Sequence, residues 1–131
     1  MPEINLHITP WKLAVCKLTD NQLPAWSHTS HFLSYTKTAD EYSLVCEAHY
    51  VPKEIQAETG WDCIKVEGVL DFSLIGIIAG ITAILAAEKI SVFVVSTHDT
   101  DYLLVKEDKT KQATQALKSS GYSLTNASKQ R

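Results

Sequence analysis

The chain of 131 residues has only three cysteines, Cys16, Cys46 and Cys63, widely separated and without a CxxC pair. An odd, scattered set fits neither a secreted disulfide framework nor a zinc site, and points to reduced thiols buried in a core. The opening MPEINLHITPWK lacks the basic stretch and continuous apolar run of a signal peptide, so the expected location is the cytoplasm. The longest apolar stretch, residues 74–87, is interrupted by two glycines and a threonine; it suits a buried helix and not a membrane span. Net charge is −3 and the basic residues form no stripe, which removes the phosphate-neutralising footprint of a nucleic-acid binder. The glycines form no phosphate-binding loop, and no nucleophile is spaced with a base. His28 and His31 lie three apart in WSHTSHF, which reads as a loop entering a strand and not as a zinc-binding helix. No cofactor, metal or catalytic activity is expected.

What is present is an ordinary folded composition, 45% hydrophobic and 21% charged, enough for one compact domain or two very small ones. Residues 62–70, DCIKVEGVL, alternate as a strand, and Ser73 is placed to cap a helix over residues 74–89. Residues 90–96 and 102–105 flank a polar loop, THDTD, and read as a β-hairpin. Asp108 is the expected N-cap of a second helix that turns Ala113, Ala116 and Leu117 inward, and Gly121 its stop before a short strand at 122–124. The order is βαββαβ over residues 62–125, with a polar tail at 126–131 expected to be disordered.

Residues 1–61 are broken by Pro10, Pro24 and Pro52 and show no long helical period. Strands are expected at 4–8, 13–18, 31–36 and 42–48, with a turn at 38–41. Displacing the sequence by sixty positions lays EYSLV at 41–45 over DYLLV at 101–105, which reads as a weak internal repeat. On the wheel of the long helix, Gly76, Gly80, Ala83 and Ala87 form one narrow line opposite Leu74, Ile78, Ile81 and Leu85. The bulky side covers a sheet. The flat side, without charge until Glu88, is expected to abut another surface, either within the chain or in a homodimer.

The segment DFSLIG at 71–76, the small-residue helix after it and VSTHDTDYLLV at 95–105 resemble the ACT-domain group that includes the CASTOR arginine sensors and their small bacterial and fungal relatives. LAVCKL, PAW and YSLVCE extend the resemblance over most of the chain. The resemblance implies an α+β protein of two ferredoxin-like ACT modules, degenerate at 1–61 and complete at 62–125. It implies regulatory binding of a small molecule, an amino acid by preference, at the seam between modules, together with homodimerisation. Carried over residue by residue, it nominates Asp71, Phe72, Ser73, Leu74, Ile75 and Gly76 at the helix entrance and Thr97, His98, Asp99 and Asp101 in the hairpin loop. Amides at a helix N-terminus suit a carboxylate and the aspartates suit an ammonium group. Leu74 stands where the arginine-sensing relatives are acidic, which favours a smaller or more apolar amino acid equally. The competing expectation is a protein-interaction module that holds no small ligand.

Overall fold

The structure is a computed structural model in which residues 4–67 and 76–126 are described. Seven strands and two helices follow in order: β1 (Asn5–Leu18), β2 (Leu33–Lys37), β3 (Tyr42–Glu47), β4 (Gln56–Glu67), α1 (Ile77–Ala87), β5 (Phe93–Ser96), β6 (Asp101–Lys106), α2 (Thr110–Ser119) and β7 (Ser123–Asn126). The chain divides into two compact units. One is made of the described residues up to Pro10 and from Asp62 onward, the other of Trp11–Trp61. A boundary at 61/62 therefore accompanies a second one after Pro10, and β1 and β4 each give residues to both units.

Pro10 is expected to end a strand, yet β1 runs through it. Proline brings no N–H to a ladder. Here it falls between the parallel register with β7, which closes at Ile8↔Asn126, and the antiparallel register with β3, which opens at Leu13↔Glu47.

In the unit built on Asp62 onward, β4-α1-β5-β6-α2-β7 realises the expected βαββαβ order, and the strands neighbour one another as β7-β1-β4-β6-β5. The N-terminal strand is thus interposed between β4 and β7. The core is Leu6, Ile64, Val66, Leu103 and Val105 from the strands, covered by Ile81, Leu85, Ala113 and Leu117 from the helices. Each of these valine, leucine and isoleucine side chains contributes about 1.5–3 kcal/mol when fully buried.

Both helix ends are built the same way. After α1, Ile90 and Lys89 donate to Leu85 and Ala86, each at 2.9 Å; after α2, Tyr122 and Gly121 donate to Leu117 and Lys118 at 3.1 and 3.0 Å. These are Schellman closures, which need a left-handed residue just past the helix. Gly121 (φ 102°) supplies it as expected, whereas Lys89 (φ 62°) does so after α1. Ile90 therefore folds back as a helix stop instead of starting a strand, and β5 begins only at Phe93.

Three further expectations at helix starts are corrected or lie outside view. Gly76 is not within α1 but at its N-cap, left-handed at φ 85°, and an added Cβ would meet nothing within 4 Å. Its glycine serves backbone conformation and not packing. The expected cap Ser73 and the helical positions Leu74 and Ile75 lie outside the described residues. Lys109, not Asp108, occupies the N-cap of α2 and makes no side-chain cap bond; Thr110 Oγ1 anchors that end on Asp62 Oδ2 at 2.6 Å. The expected tail overlaps β7 at Asn126, and residues 127–131 are not described.

The Trp11–Trp61 unit has strand order β2-β3-β1-β4 and, among its described residues, two single 3-10 turns, Ala25–Ser27 and Ala48–Tyr50. One turn follows β1 and the other β3, the places where α1 and α2 stand in the other unit. The two hairpins match as well. Lys37↔Tyr42 and Ser96↔Asp101 close four-residue turns, with Thr38 N–H on Glu41 O at 3.0 Å and Thr97 N–H on Thr100 O at 2.8 Å. The structural offset is thus 59, one less than the offset of sixty that aligns the letters. A slip of one reverses which face each side chain takes, so Asp40 corresponds to Asp99, and Tyr42 to Asp101 instead of Tyr102.

All three cysteines are free and buried. Burial pushes the Cys63 thiol up to about 12. Cys46 donates to Cys16 and is held far above the ordinary thiol value by that bond and by burial. The same bond lowers the Cys16 thiol, and the pair sits in a cluster with Ala14, Leu18 and Leu44.

Glu47, only 7% exposed, fastens the loop before β2: it accepts from His31 N–H at 2.6 Å and His31 Nδ1 at 3.0 Å. Burial alone would raise its carboxyl value, but the two His31 bonds and the nearby His31 and His49 charges outweigh burial and hold it below the ordinary value. A carboxyl lowered in the folded state contributes stability above its unfolded value and loses it as the pH falls through the folded one. Glu47→Gln is expected to cost about 1–3 kcal/mol at neutral pH. In urea titrations the deficit should shrink as the pH falls below 4; a deficit unchanged into acid would contradict the assignment.

At Gly80, an added Cβ would stand 3.2 Å from the Tyr122 hydroxyl. Gly80→Leu is expected to destabilise by about 1–3 kcal/mol through overpacking. Tyr122→Ala in the same chain should relieve part of that cost, measured as a non-additive double-mutant cycle.

Candidate functional site

The alternation of β4 builds one wall of a groove. Ile64 and Val66 enter the core, so Lys65 and Glu67 emerge on the other face, half-buried. The turn between β5 and β6 builds the other wall. Its Thr97 hydroxyl accepts from Thr100 N–H at 3.2 Å and donates to Thr100 O at 3.1 Å, which fixes the turn internally. Thr100 Oγ1 then donates to the carbonyl of Val66 and ties the turn to β4. The groove holds about 400 Å³ and is lined by Lys65, Glu67, Thr97, Asp99, Thr100 and Tyr102, with Val66 behind them. That volume lies within the range of about 300–1,000 Å³ usual for small-molecule sites.

Its electrostatics are mixed. Lys65 offers one ammonium, while Glu67 and Asp99 offer two carboxylates. Glu67 Oε1 is steadied by Asn5 Nδ2 at 3.3 Å. Such a lining pairs with a zwitterion: a carboxylate on Lys65 and an ammonium on the acids.

Of the nominated residues, the groove gathers Thr97 and Asp99. His98 stands outside the lining, fully exposed, with Nδ1 2.7 Å from Asp99 Oδ1, a contact between neighbouring residues in open solvent. Asp101 accepts from Ser96 Oγ at 2.5 Å and steadies the hairpin neck. Gly76 is exposed at the start of α1, and Asp71, Phe72, Ser73, Leu74 and Ile75 lie outside the described residues. Along the small-residue line, Gly80 packs on Tyr122, while Ala83 and Ala87 are exposed. Lys65, Glu67 and Tyr102 were not nominated. The period-two pattern of IKVE carries the signal for the first two: the polar letters lie on the face opposite the core.

His28 and His31 do not pair; His31 is engaged by Glu47. Among the described residues no group of three or more His, Cys, Asp or Glu is placed to hold a metal ion, and no helix is long and apolar enough to cross a membrane.

The ACT-domain family matches residues 56–119, and a second family, describing an N-terminal domain, matches residues 12–54. No curated protein matches the chain. A crystallised protein from Agrobacterium tumefaciens is 33% identical with a TM-score of 0.90, over 96% of this chain and 95% of that one. A Vibrio cholerae protein, described as of unknown function and a possible transport protein, is 19% identical with a TM-score of 0.74 over 89% of both chains. The regulatory subunit of aspartate kinase from Thermus thermophilus is 6% identical with a TM-score of 0.60, over 83% of this chain and 92% of that one. At such identities the last two share the fold alone.

Thr100→Val removes the tie between turn and β4 and leaves the Val66 carbonyl without that donor. It is expected to destabilise by about 1–3 kcal/mol. Amide exchange should quicken in the turn at residues 97–100 before it does in the core strands.

Proposed function

From the premise that the chain carries an ACT domain and belongs to one family with its Agrobacterium tumefaciens relative, we propose that it is a regulatory protein that binds a free amino acid and catalyses nothing. The observation that carries this reading is the groove of mixed charge, lined by Lys65 and Glu67 of β4 on one side and by Asp99 of a fixed turn on the other. The ligand binds at a seam between ACT modules, with this groove as one wall. The modules are a complete ACT domain and a degenerate one at the N-terminal end, whose matching strand order, turn placement and hairpin closure support an ancestral repeat. Affinity with the CASTOR-like proteins accounts for the sequence shared at 71–76 and 95–105. A homodimer through the exposed Ala83 and Ala87 line and a cytoplasmic location complete the reading.

A thermal-shift panel of the twenty amino acids tests it. A ligand at a hundred times its dissociation constant adds about 2.7 kcal/mol, so at least one amino acid should raise the melting temperature measurably. Lys65→Met and Asp99→Asn should each remove that rise without lowering the melting temperature of the free protein. No rise with any amino acid, alongside a co-purifying protein, would replace this reading with that of an interaction module.

A further inference from the structure

The Trp11–Trp61 unit has a groove of its own, of about 380 Å³. Its floor is apolar: Leu18 at the end of β1, with Trp26 and Ile55, all packed on the buried thiol cluster. Its wall is the loop leaving β1, which includes Asp20, Leu23 and Pro24. That loop is tied in place. Tyr35 donates its hydroxyl hydrogen to Asn21 Oδ1 at 2.5 Å, and the buried Ser27 donates both N–H and Oγ–H to the Pro24 carbonyl at 3.0 and 2.7 Å. The groove is thus formed before any occupant arrives, and Leu23, 36% exposed, leaves apolar surface at its rim.

Charge decides what fits. Among the described lining residues Asp20 is the one ionised group, and no lysine, arginine or histidine lines the groove. An anion meets repulsion there, and a neutral apolar molecule gains only burial, about 25 cal/mol per Å². A cation with an apolar body gains both that burial and the attraction of Asp20. We propose that this groove binds a small organic ammonium compound, with the ammonium at Asp20 and the apolar body over Trp26, Leu23 and Ile55. This is separate from the amino-acid reading, because a free amino acid would bring a carboxylate to the same apolar floor.

Tryptophan fluorescence of the full chain, titrated with phenethylamine, phenethyl alcohol and phenylacetate, tests the proposal. Phenethylamine should give a saturable change at a concentration about tenfold lower than the alcohol, a difference of about 1.4 kcal/mol, and phenylacetate should give none. Asp20 is exposed, so Asp20→Asn keeps the fold, checked by its melting curve, and should erase the preference for the amine while leaving the alcohol's binding unchanged. Trp26→Phe should remove the signal that Trp11 and Trp61 do not provide. Equal binding of amine and alcohol, an amine preference that survives Asp20→Asn, a signal that survives Trp26→Phe, or no saturable change with any of the three overturns it.

Discussion

The two-residue period of β4 is the constraint on which the ACT unit depends. Within Asp62–Glu67 one strand feeds both faces of the sheet: Ile64 and Val66 enter the core, and Lys65 and Glu67 wall the groove. Its polar groups are anchors as well. Asp62 takes the Thr110 hydroxyl at the start of α2, the Cys63 carbonyl takes Thr9 Oγ1 at 3.0 Å, and the Val66 carbonyl takes Thr100. A register slip of one would expel the two aliphatic side chains and bury a lysine and a glutamate, at far greater cost than any single contact here contributes. The β4 wall of the groove is therefore fixed by the core it shares a strand with.

The same strand shows how much of the fold was legible. The letters DCIKVE state their own alternation, and the βαββαβ order follows from the strand, the apolar helix, the hairpin and Gly121. What could not be read were features set by packing and by partners that the local letters do not name. Pro10 looks like a break because proline lacks a donor, but a strand tolerates it where two different neighbours hand over. Lys89 looks like the last residue of a helix, yet it takes a left-handed conformation because Ile90 gains burial against Leu85. Asp108 is the better capping letter, but Thr110 reaches Asp62, and no local pattern encodes that distant carboxylate.

The repeat shows a subtler limit. Aligning similar letters gives an offset of sixty, while hydrogen-bonded hairpin ends give 59. Sequence similarity rewards matching aliphatic runs, which tolerate a slip; turn closure does not, because each four-residue loop starts with a threonine whose hydroxyl caps its own turn. Thr38 takes the N–H groups of Asp40 and Glu41 at 3.1 and 3.2 Å, much as Thr97 takes that of Thr100. The chemistry of the turn, more than the composition of the strands, preserves the correspondence. For the site this matters directly, since it is Asp99 and not Asp101 that faces the groove.

The two units also divide the work of stability differently. Where α1 and α2 cover one core with long aliphatic side chains, the Trp11–Trp61 unit places only single turns, and its cluster joins Leu18 and Leu44 to the smaller Ala14, Cys16 and Cys46, flanked by aromatic rings. With single turns in place of helices, the loops that join its strands are held by polar closures. Glu47 is such a closure, a carboxylate admitted to a nearly dry place because two hydrogen-bond donors of His31 meet it there. Acid, by neutralising that carboxylate, should therefore loosen the loop that enters β2.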